Sequence, residues 1–409
     1  MFRRRPTPNP PHPYRPPISV CTPGSRNVHL FTVVIFSLCD GTGIPLLALL
    51  IALDQLRQKN YVFNIVETHT YESSPLSRKL SQALRHAIDY PGPVYEHADI
   101  ANFPVHAQRQ QPADYVIVLG GTPCTAISKG ARFANRTFNY GLHAPPSNLW
   151  WTAKQGIKTL YQQVGHRLFT FIENVIPAND IDLLELDNTA GHRHTMHATE
   201  TEGAHRPRYV WTSVGFQQPS TTILLVLPEI RLTPPLQWTT DPRSSRRYPT
   251  LRSIIPSRLY ALAADPTQIP LHERDQLQEF FVYNPCTGRR QLPPLQDIAS
   301  FMSVPPYVIQ AFKDTHPCKQ TVIYMDHQDN VITEPCGDNV WCAHCSDVIS
   351  ALGAAWNTST TSRHLLASLS TFVGFQLLGD QSILANETFN YNTEDHVCTK
   401  HCRFNRNRL

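Results

Sequence analysis

Apolar and polar positions alternate in a regular rhythm through the first half of the chain. The run from Val28 to Leu38 is rich in β-branched and aromatic residues, which predicts a strand. A glycine turn separates it from the helical run Leu46 to Gln58. The order of predicted strand, loop and helix repeats until about residue 175. This pattern predicts an α/β fold with a doubly wound, mostly parallel sheet.

Four further apolar runs extend the predicted sheet. They are Tyr61 to Val66, Val94 to His97, Asp114 to Gly120 and Arg167 to Val175, and a helix is predicted at Leu149 to Gln162. Because the carboxyl ends of parallel strands meet at one edge of a sheet, the polar residues that follow these strands are expected on a single rim. Those residues are Asp40, Gly41, Glu67, Asp99, Cys124 and Glu173.

The second half of the chain lacks this repeated pattern of strand, loop and helix. Residues 218–343 combine prolines, basic clusters, short apolar runs and one predicted helix at Leu271 to Phe281, which indicates a smaller, irregular inserted domain. Residues 344–379 are apolar and helical enough to return to the large domain, whose first part is 28–217. A basic, proline-rich segment, 1–27, and a polar one, 380–409, are predicted to be loose tails.

Composition narrows the class of protein. The chain has 409 residues, of which 41% are hydrophobic, and a formal net charge of +4. That length suits one large domain with a smaller one, and the mild basic excess permits an anionic partner without requiring it. The 10 cysteines are scattered, which favours a reduced, intracellular protein over a disulfide scaffold. The glycosylation sequons at Asn135, Asn357 and Asn386 are then chance matches.

The apolar stretch His29 to Leu53 has the length of a membrane span. Asp40, Gly41, Gly43 and Pro45 fall in its middle, where charge and helix breakers are costly in a bilayer. We therefore interpret it as a strand, a turn and a helix and expect no membrane association. A membrane or signal segment remains the alternative.

The turn from Cys39 to Gly43 suits a nucleotide-like cofactor, because glycines let backbone N–H groups approach a ligand closely. Glu67, at the end of the second predicted strand, would accept the ribose hydroxyls of an adenosine group. Asp99 would hydrogen-bond an adenine amino group while Ile100 packs on the ring.

Cys124 closes the loop Gly-Gly-Thr-Pro-Cys that follows the fourth predicted strand. A cysteine in such a place is more often a buried structural residue than a nucleophile, so the surrounding chain has to decide. Arg206 and Arg208 alternate along an extended segment and would face the same way, toward an anionic or carbonyl-bearing substrate.

Taken in order, these residues resemble the cytosine-5 methyltransferase family, and most closely the catalytic domain of the animal de novo DNA (cytosine-5) methyltransferases. The resemblance covers about residues 30–215 and 344–375. The loop ending in Cys124 resembles the family's Pro-Cys motif, Phe171 to Val175 its Glu-Asn-Val motif, and Arg206-Pro-Arg208 its two-arginine motif. The segment Gly141 to Trp150 is similar to its lid, and residues 344–356 to its C-terminal cofactor motif.

The resemblance implies a DNA cytosine-5 methyltransferase with an S-adenosylmethionine cofactor, released as S-adenosylhomocysteine. Cys124 would add to C6 of a flipped-out cytosine and Glu173 would hydrogen-bond N3. Arg206 and Arg208 would hold the base carbonyl and the nucleophile loop, with Pro123 and Asn174 in support. The residues that would hold the cofactor are Asp40, Gly41, Gly43, Glu67, Asp99, Ile100 and Trp356.

The chain also departs from the family. Cys39 stands where members usually carry Phe, and Asn-Thr-Ser-Thr replaces Val-Pro after Trp356. These changes leave two alternatives open: the tRNA-methylating branch of the family, and a catalytically silent regulatory homologue that binds DNA or an active partner.

The resemblance further places target recognition in residues 218–343 and the protein in the nucleus, with DNA as its partner. Lys313 and Lys319 are candidate DNA contacts, although ordinary surface lysines explain them equally well. Association into a homo-oligomer or with a related methyltransferase subunit stays open. A zinc site is conceivable among the C-terminal cysteines and histidines, but their spacing does not repeat a paired zinc motif and no metal is expected. Those residues are Cys336, Cys342, His344, Cys345, Cys398, His401 and Cys402.

Overall fold

A seven-stranded sheet, flanked by helices on both faces, organises the chain. The computed structural model describes residues 28–124, 126–128, 141–197, 207–216, 282–284, 289–291, 304–315, 321–325, 331–335 and 358–378. The strand order in the sheet is β3-β2-β1-β4-β5-β7-β6. Strands β1 to β5 run parallel to one another, whereas β7 is antiparallel to both of its neighbours. The predicted doubly wound, mostly parallel sheet is thus confirmed.

The elements have the following bounds. The strands of the main sheet are β1 (His29–Leu38), β2 (Tyr61–Tyr71), β3 (Val94–His97), β4 (Tyr115–Gly120), β5 (Leu168–Asn174), β6 (His192–His197) and β7 (Pro207–Thr212). The helices are α1 (Ile44–Arg57), α2 (Pro75–Ala87), α3 (Phe103–Gln108), α4 (Leu149–Val164), α5 (Asp180–Thr189), α6 (Pro306–Thr315) and α7 (Thr358–Leu378). Two antiparallel hairpins complete the set: β8 (Val282–Asn284) with β9 (Arg289–Gln291), and β10 (Thr321–Met325) with β11 (Val331–Pro335).

The central strand β1 is buried on both faces because every position from Val33 to Leu38 is apolar or small. Its Val33 and Ile35 join one core cluster, to which α1, α2, α6 and α7 contribute. Its Val34 and Phe36 join the other, to which α3, α4 and α5 contribute. Alternate side chains of a strand point to opposite faces, so one continuous apolar run serves both layers.

Helix α7 packs in this core through Leu365, Leu369, Phe372 and Val373. Phe372 is 2% exposed and packs edge-on against Tyr115 of β4, with ring centroids 5.3 Å apart. The large C-terminal apolar helix therefore closes the layer over β1 and β4.

The strand order places a switch point between β1 and β4. From β1 the chain builds outward to β2 and β3, then crosses to β4 and continues to β5 on the other side. In such sheets the loops after the two strands at the switch diverge and leave a crevice at their carboxyl ends. The loops after β1 and β4 carry the glycine turn and Cys124.

Several boundaries differ from the sequence predictions. Strand β2 continues to Tyr71, five residues past the predicted end at Val66, because Thr68 and Thr70 remain paired with β3 and are themselves buried. Strand β6 was missed because its sequence, His-Arg-His-Thr-Met-His, is polar and only Met196 in it is buried.

Helix α6 also corrects the predicted domain boundary. It lies within the proposed 218–343 region, yet its Val308, Ile309 and Phe312 are buried in the same core cluster as β1 and α1. At least this part of the segment belongs to the large domain. The predicted helix Leu271 to Phe281 lies outside the described residues.

Among the residues that the structure describes, no helix has both the length and the apolar content needed to cross a membrane. The stretch His29 to Leu53 instead forms β1, the glycine turn and most of α1, as the preferred interpretation predicted.

Candidate functional site

The glycine turn after β1 has three residues in the left-handed backbone region. These are Cys39 (φ 53°), Gly41 (φ 59°) and Gly43 (φ 82°). A Cβ added at Gly41 would meet no atom within 4 Å, whereas one at Gly43 would lie 2.7 Å from the Ser81 hydroxyl oxygen. Gly43 is therefore required for close packing of α1 on α2, and Gly41 leaves backbone facing open space. This is the geometry expected for a loop that approaches a ligand.

Asp40 braces this turn from inside the protein. It is 2% exposed, and its carboxylate accepts hydrogen bonds from the hydroxyls of Ser37 (2.5 Å) and Ser81 (2.7 Å). Burial raises the pKa of Asp40 to about 6, although both hydroxyl contacts act in the opposite direction. Because both of its oxygens are engaged by side chains of the fold, Asp40 shapes the turn.

The acidic residue at the carboxyl end of β2 is Glu72, and the prediction of Glu67 for that place is wrong. Glu67 lies inside the strand, where its Oε1 accepts the Gln111 N–H at 3.0 Å. Glu72 directly follows the strand, and its two carboxylate oxygens accept the N–H groups of Gly41 and Ser74, each at 2.8 Å. The prediction placed the acid too early along the chain because β2 continues to Tyr71, past the end of its apolar run at Val66.

Asp99 and Ile100 follow β3, as predicted. Ile100 is 5% exposed and packs in the core cluster that contains Phe36 and Phe103. Asp99 is exposed and caps a short helical turn, accepting the Ala101 N–H at 2.8 Å. The Asp99 carboxylate is open to an adenine amino group, whereas the Ile100 side chain is packed in the core, and the adenine hypothesis stays a prediction.

The loop that carries Cys124 is held on two sides. Asn174, at the end of β5, donates through Nδ2 to both the carbonyl oxygen (3.1 Å) and the hydroxyl (3.2 Å) of Thr122. Ser147, which is fully buried, donates to the Pro123 carbonyl at 2.8 Å and accepts the Ala126 N–H at 3.1 Å. These hydrogen bonds hold the loop at Thr122, Pro123 and Ala126, and the supporting role of Asn174 in an active site stays a prediction.

Glu173 and Arg208 form an ion pair beside this loop. Arg208 Nε lies 2.9 Å from Glu173 Oε1, and the two side chains are 14% and 8% exposed. They come from β5 and its antiparallel neighbour β7, so the sheet itself fixes their separation. Arg208 also donates to the Pro207 carbonyl, which leaves its Nε turned toward the glutamate. Arg208 therefore positions Glu173, a role that the sequence prediction had not assigned to it.

The two described cysteines, Cys39 and Cys124, have different environments. Burial raises the pKa of the Cys39 thiol to about 12, and the nearby carboxylates of Glu72 and Asp40 add to that shift. Cys39 thus stays protonated at neutral pH and is no nucleophile. Cys124 is only partly buried and lies on the loop after the switch-point strand.

We refer to the loops after β1 and β4 and the end of β5, with the residues Gly41, Cys124, Glu173 and Asn174, as the catalytic rim, after the role predicted for them. The register joins them directly, since Leu38 pairs with Gly120 and Gly120 with Ile172. A further link runs from Gly121, whose N–H donates to the Leu38 carbonyl at 3.3 Å. The rim unites the predicted nucleophile, the predicted acid and the glycine turn.

Other predicted site residues lie outside the described part of the chain. They are Arg206, Trp356, Lys319 and the C-terminal cysteines and histidines that were considered for zinc. Lys313 is described: it is exposed on α6, a helix packed against α2. Its role as a DNA contact stays a prediction.

Sequence reasoning missed Glu72 and Ser147. Ser147 lies 23 residues after Cys124 along the chain and is separated from it by a long loop, so only the folded structure connects the two. Glu72 was detectable, because it follows the alternating Thr-His-Thr-Tyr run that extends β2.

No protein-family model matches the chain, and no curated protein matches its sequence. Solved structures give distant likenesses only. A candidate RNA methyltransferase from Pyrococcus horikoshii is 12% identical with a TM-score of 0.25, over 44% of this chain and 72% of that chain. NSun6 from Pyrococcus horikoshii, with SFG, is 10% identical with a TM-score of 0.27, over 44% and 47%. A precorrin 8w decarboxylase from Methanobacterium thermoautotrophicum is 9% identical with a TM-score of 0.25, over 46% and 83%. Likenesses this distant carry no argument about function.

Proposed function

We propose that the chain is an S-adenosylmethionine-dependent methyltransferase that modifies C5 of cytosine in DNA. The observation that carries the proposal is the catalytic rim, where a partly buried cysteine follows β4 and an arginine-paired carboxylate lies at the end of the adjacent strand β5. Both groups lie beside a glycine turn at the sheet's switch point.

The rim residues fit the steps of cytosine chemistry. Cytosine C5 is a weak nucleophile, and addition of the Cys124 sulfur at C6 makes the ring enamine-like at C5. That addition pushes electron density onto N3, where the Glu173 carboxyl group, once it has taken up a proton, would donate a hydrogen bond. Arg208 keeps the glutamate oriented through its 2.9 Å contact. After methylation, a base removes the C5 proton, the C5–C6 double bond re-forms and the thiolate leaves.

Asn174 and Ser147 hold the nucleophile in place during these steps. Their hydrogen bonds fix the backbone carbonyls of Thr122 and Pro123, the two residues before Cys124. Small displacements of a reacting atom are costly in rate, so this bracing supports the reaction directly.

The residues around the glycine turn fit the proposed cofactor. Gly41 faces open space, Glu72 lies at the end of β2 with its carboxylate on the Gly41 and Ser74 N–H groups, and the exposed carboxylate of Asp99 would accept a hydrogen bond from an adenine amino group. When bound, S-adenosylmethionine supplies an electrophilic methyl group. Cys39, small and protonated, would contact the cofactor where the family's aromatic residue stands.

The experiment is methyl transfer from isotopically labelled S-adenosylmethionine to duplex DNA by the full chain. We expect label in 5-methylcytosine for the wild type and for His86→Gln, which changes an exposed histidine on α2, and none for Cys124→Ser. A parallel reaction with tRNA separates the two nucleic acids. Label in tRNA alone would assign the RNA substrate, and absence of label in both, with donor binding retained, would support the regulatory homologue.

A further inference from the structure

Three histidines from three separate elements converge beside the edge strand of the sheet. They are His69 in β2, His97 at the end of β3 and His106 in α3, and each offers a ring nitrogen that lies within 4.8 Å of the other two. We call this group the histidine corner. We propose that it binds a divalent transition-metal ion, and that Zn²⁺ is the ion its all-imidazole ligand set favours.

The sheet register creates the corner. Strand β2 pairs with β3 so that Tyr71 lies opposite His97, and His69 is two residues before Tyr71 on the same face of β2. Helix α3 crosses over that face and brings His106 against His97, with ring centroids 4.1 Å apart. The three ligands are therefore fixed by regular elements.

The nitrogen spacing suits a shared ion. His69 Nδ1 and His97 Nε2 are 3.0 Å apart. Two imidazole nitrogens bound to one tetrahedral Zn²⁺ at its usual bond length are separated by about 3.3 Å, so a shift of a few tenths of an ångström is enough. In the structure these two nitrogens form a hydrogen bond, and a bound ion would take the place of its proton.

Glu67 supplies the outer contact that histidine ligands of metals usually have. Its Oε1 lies 3.4 Å from His69 Nε2, on the opposite side of the ring from the nitrogen that faces His97. A carboxylate there favours a proton on Nε2 and leaves Nδ1 free to bind a metal. Glu67 is itself fixed by the Gln111 N–H at 3.0 Å. The role proposed for Glu67, a buried acid inside β2, is therefore to orient His69.

The protonation states also suit metal binding. A histidine side chain has an ordinary pKa of about 6.5 and is mostly neutral at pH 7, as a metal ligand must be. The Tyr71 hydroxyl lies 2.8 Å from His106 Nδ1 and orients that ring.

The corner is partly open to solvent, since all three histidines are half-buried. Three protein ligands leave a fourth tetrahedral position, which a water molecule would fill. A bound ion would join β2, β3 and α3 into one unit immediately before Asp99 and Ile100. The proposal is independent of the methyltransferase assignment, because it concerns metal binding alone.

The test is metal binding by the full chain after chelator treatment and dialysis. Zn²⁺ is titrated by calorimetry, and Co²⁺ by visible spectroscopy, in the wild type and in His97→Gln and His106→Gln. His86→Gln, which changes an exposed histidine on α2, is the matched control. Circular dichroism verifies that each variant is folded.

We expect each corner variant to lose one equivalent of tightly bound Zn²⁺, and His86→Gln to keep it. The Co²⁺ absorption that the wild type shows and the corner variants lose should contain no thiolate-to-metal charge-transfer band. The absence of that band distinguishes the histidine corner from any site built on cysteines. Equal stoichiometry and affinity in all four proteins, or no metal binding by the wild type, would overturn the proposal.

A second variant leaves every ligand in place. Glu67→Gln should weaken Zn²⁺ binding roughly 10- to 100-fold, the usual effect of removing an outer-sphere partner. Unchanged affinity in Glu67→Gln would contradict the assigned geometry even if the histidine variants proved unstable.

Discussion

The catalytic rim and the histidine corner lie at the ends of neighbouring strands but are built in opposite ways. At the rim, Cys124 lies on a loop and Glu173 at the end of β5, and Asn174 and Ser147 hold the Cys124 loop through backbone carbonyls. At the corner, the histidines lie on strands and a helix and face one another directly. A site on a loop depends on the hydrogen bonds that hold the loop, whereas a site on strands and a helix depends on the register of the sheet.

The difference also decides which site is visible in the sequence. The rim groups follow their strands in contiguous motifs, so Cys124, Glu173 and Asn174 were predicted. The corner histidines are 28 and 9 residues apart along the chain, with no spacing typical of a metal motif. The pairing of β2 with β3 and the packing of α3 on them bring the three histidines together.

The largest effect is expected at the rim. Glu173→Gln should lower the rate of methyl transfer about 100- to 10,000-fold, since it removes the group that handles the proton at N3. Donor binding and Zn²⁺ binding should be unchanged. Single-turnover kinetics with labelled donor measures the effect, and a rate within twofold of the wild type would refute the role of Glu173.

The braces of the rim should come next. Asn174→Ala removes both hydrogen bonds to Thr122 and should slow transfer about 10- to 100-fold by misplacing Cys124. It should also destabilise the fold by about 1–3 kcal/mol, because buried partners are left unpaired. Chemical denaturation and kinetics together test this. Full activity in Asn174→Ala would mean that the loop holds its shape without the brace.

Substitutions of Glu72 and Glu67 should distinguish the cofactor site from the metal site. Glu72→Gln should weaken S-adenosylmethionine binding roughly 10-fold and leave Zn²⁺ binding alone. Glu67→Gln should do the reverse, since Glu67 contacts His69 and not the glycine turn. Calorimetry with donor, in metal-free buffer, measures the first effect. If Glu67→Gln weakened donor binding and Glu72→Gln did not, the original sequence assignment would be restored.

The sequence predicted most of the sheet because its central strands are continuous apolar runs. It placed β1, β3, β4 and β5 within one or two residues of their observed bounds. It missed β6 and the end of β2, where polar residues take part in strands through pairing with a neighbour. Helix α6 was missed because an irregular surrounding sequence concealed its buried face, Val308, Ile309 and Phe312.

The smallest effect concerns His194, on edge strand β6 at the far side of the sheet. Burial, with His192 and His364 nearby, lowers its pKa to about 4. Between pH 6.5 and 4 the unfolded chain therefore binds more protons at this residue, so its contribution to stability falls as the pH falls. His194→Gln should flatten the acid side of the melting-temperature profile relative to His86→Gln.

Zinc binding should be unaffected in His194→Gln. Within the described residues His194 belongs to no group of clustered metal-binding side chains. A depressed pKa alone is not expected to create a metal site, and loss of Zn²⁺ in this variant would show that the corner histidines are not the ligands.

The most direct test of the central claim is covalent capture of Cys124 by DNA that contains 5-fluorocytosine. Fluorine cannot leave C5 as a proton does, so an adduct formed by sulfur addition at C6 and methylation at C5 should persist. With S-adenosylmethionine present, we predict a protein–DNA complex stable to denaturation, with the modified nucleotide on the peptide that contains Cys124. No stable complex, or attachment at another residue with Cys124 unmodified, would contradict the account.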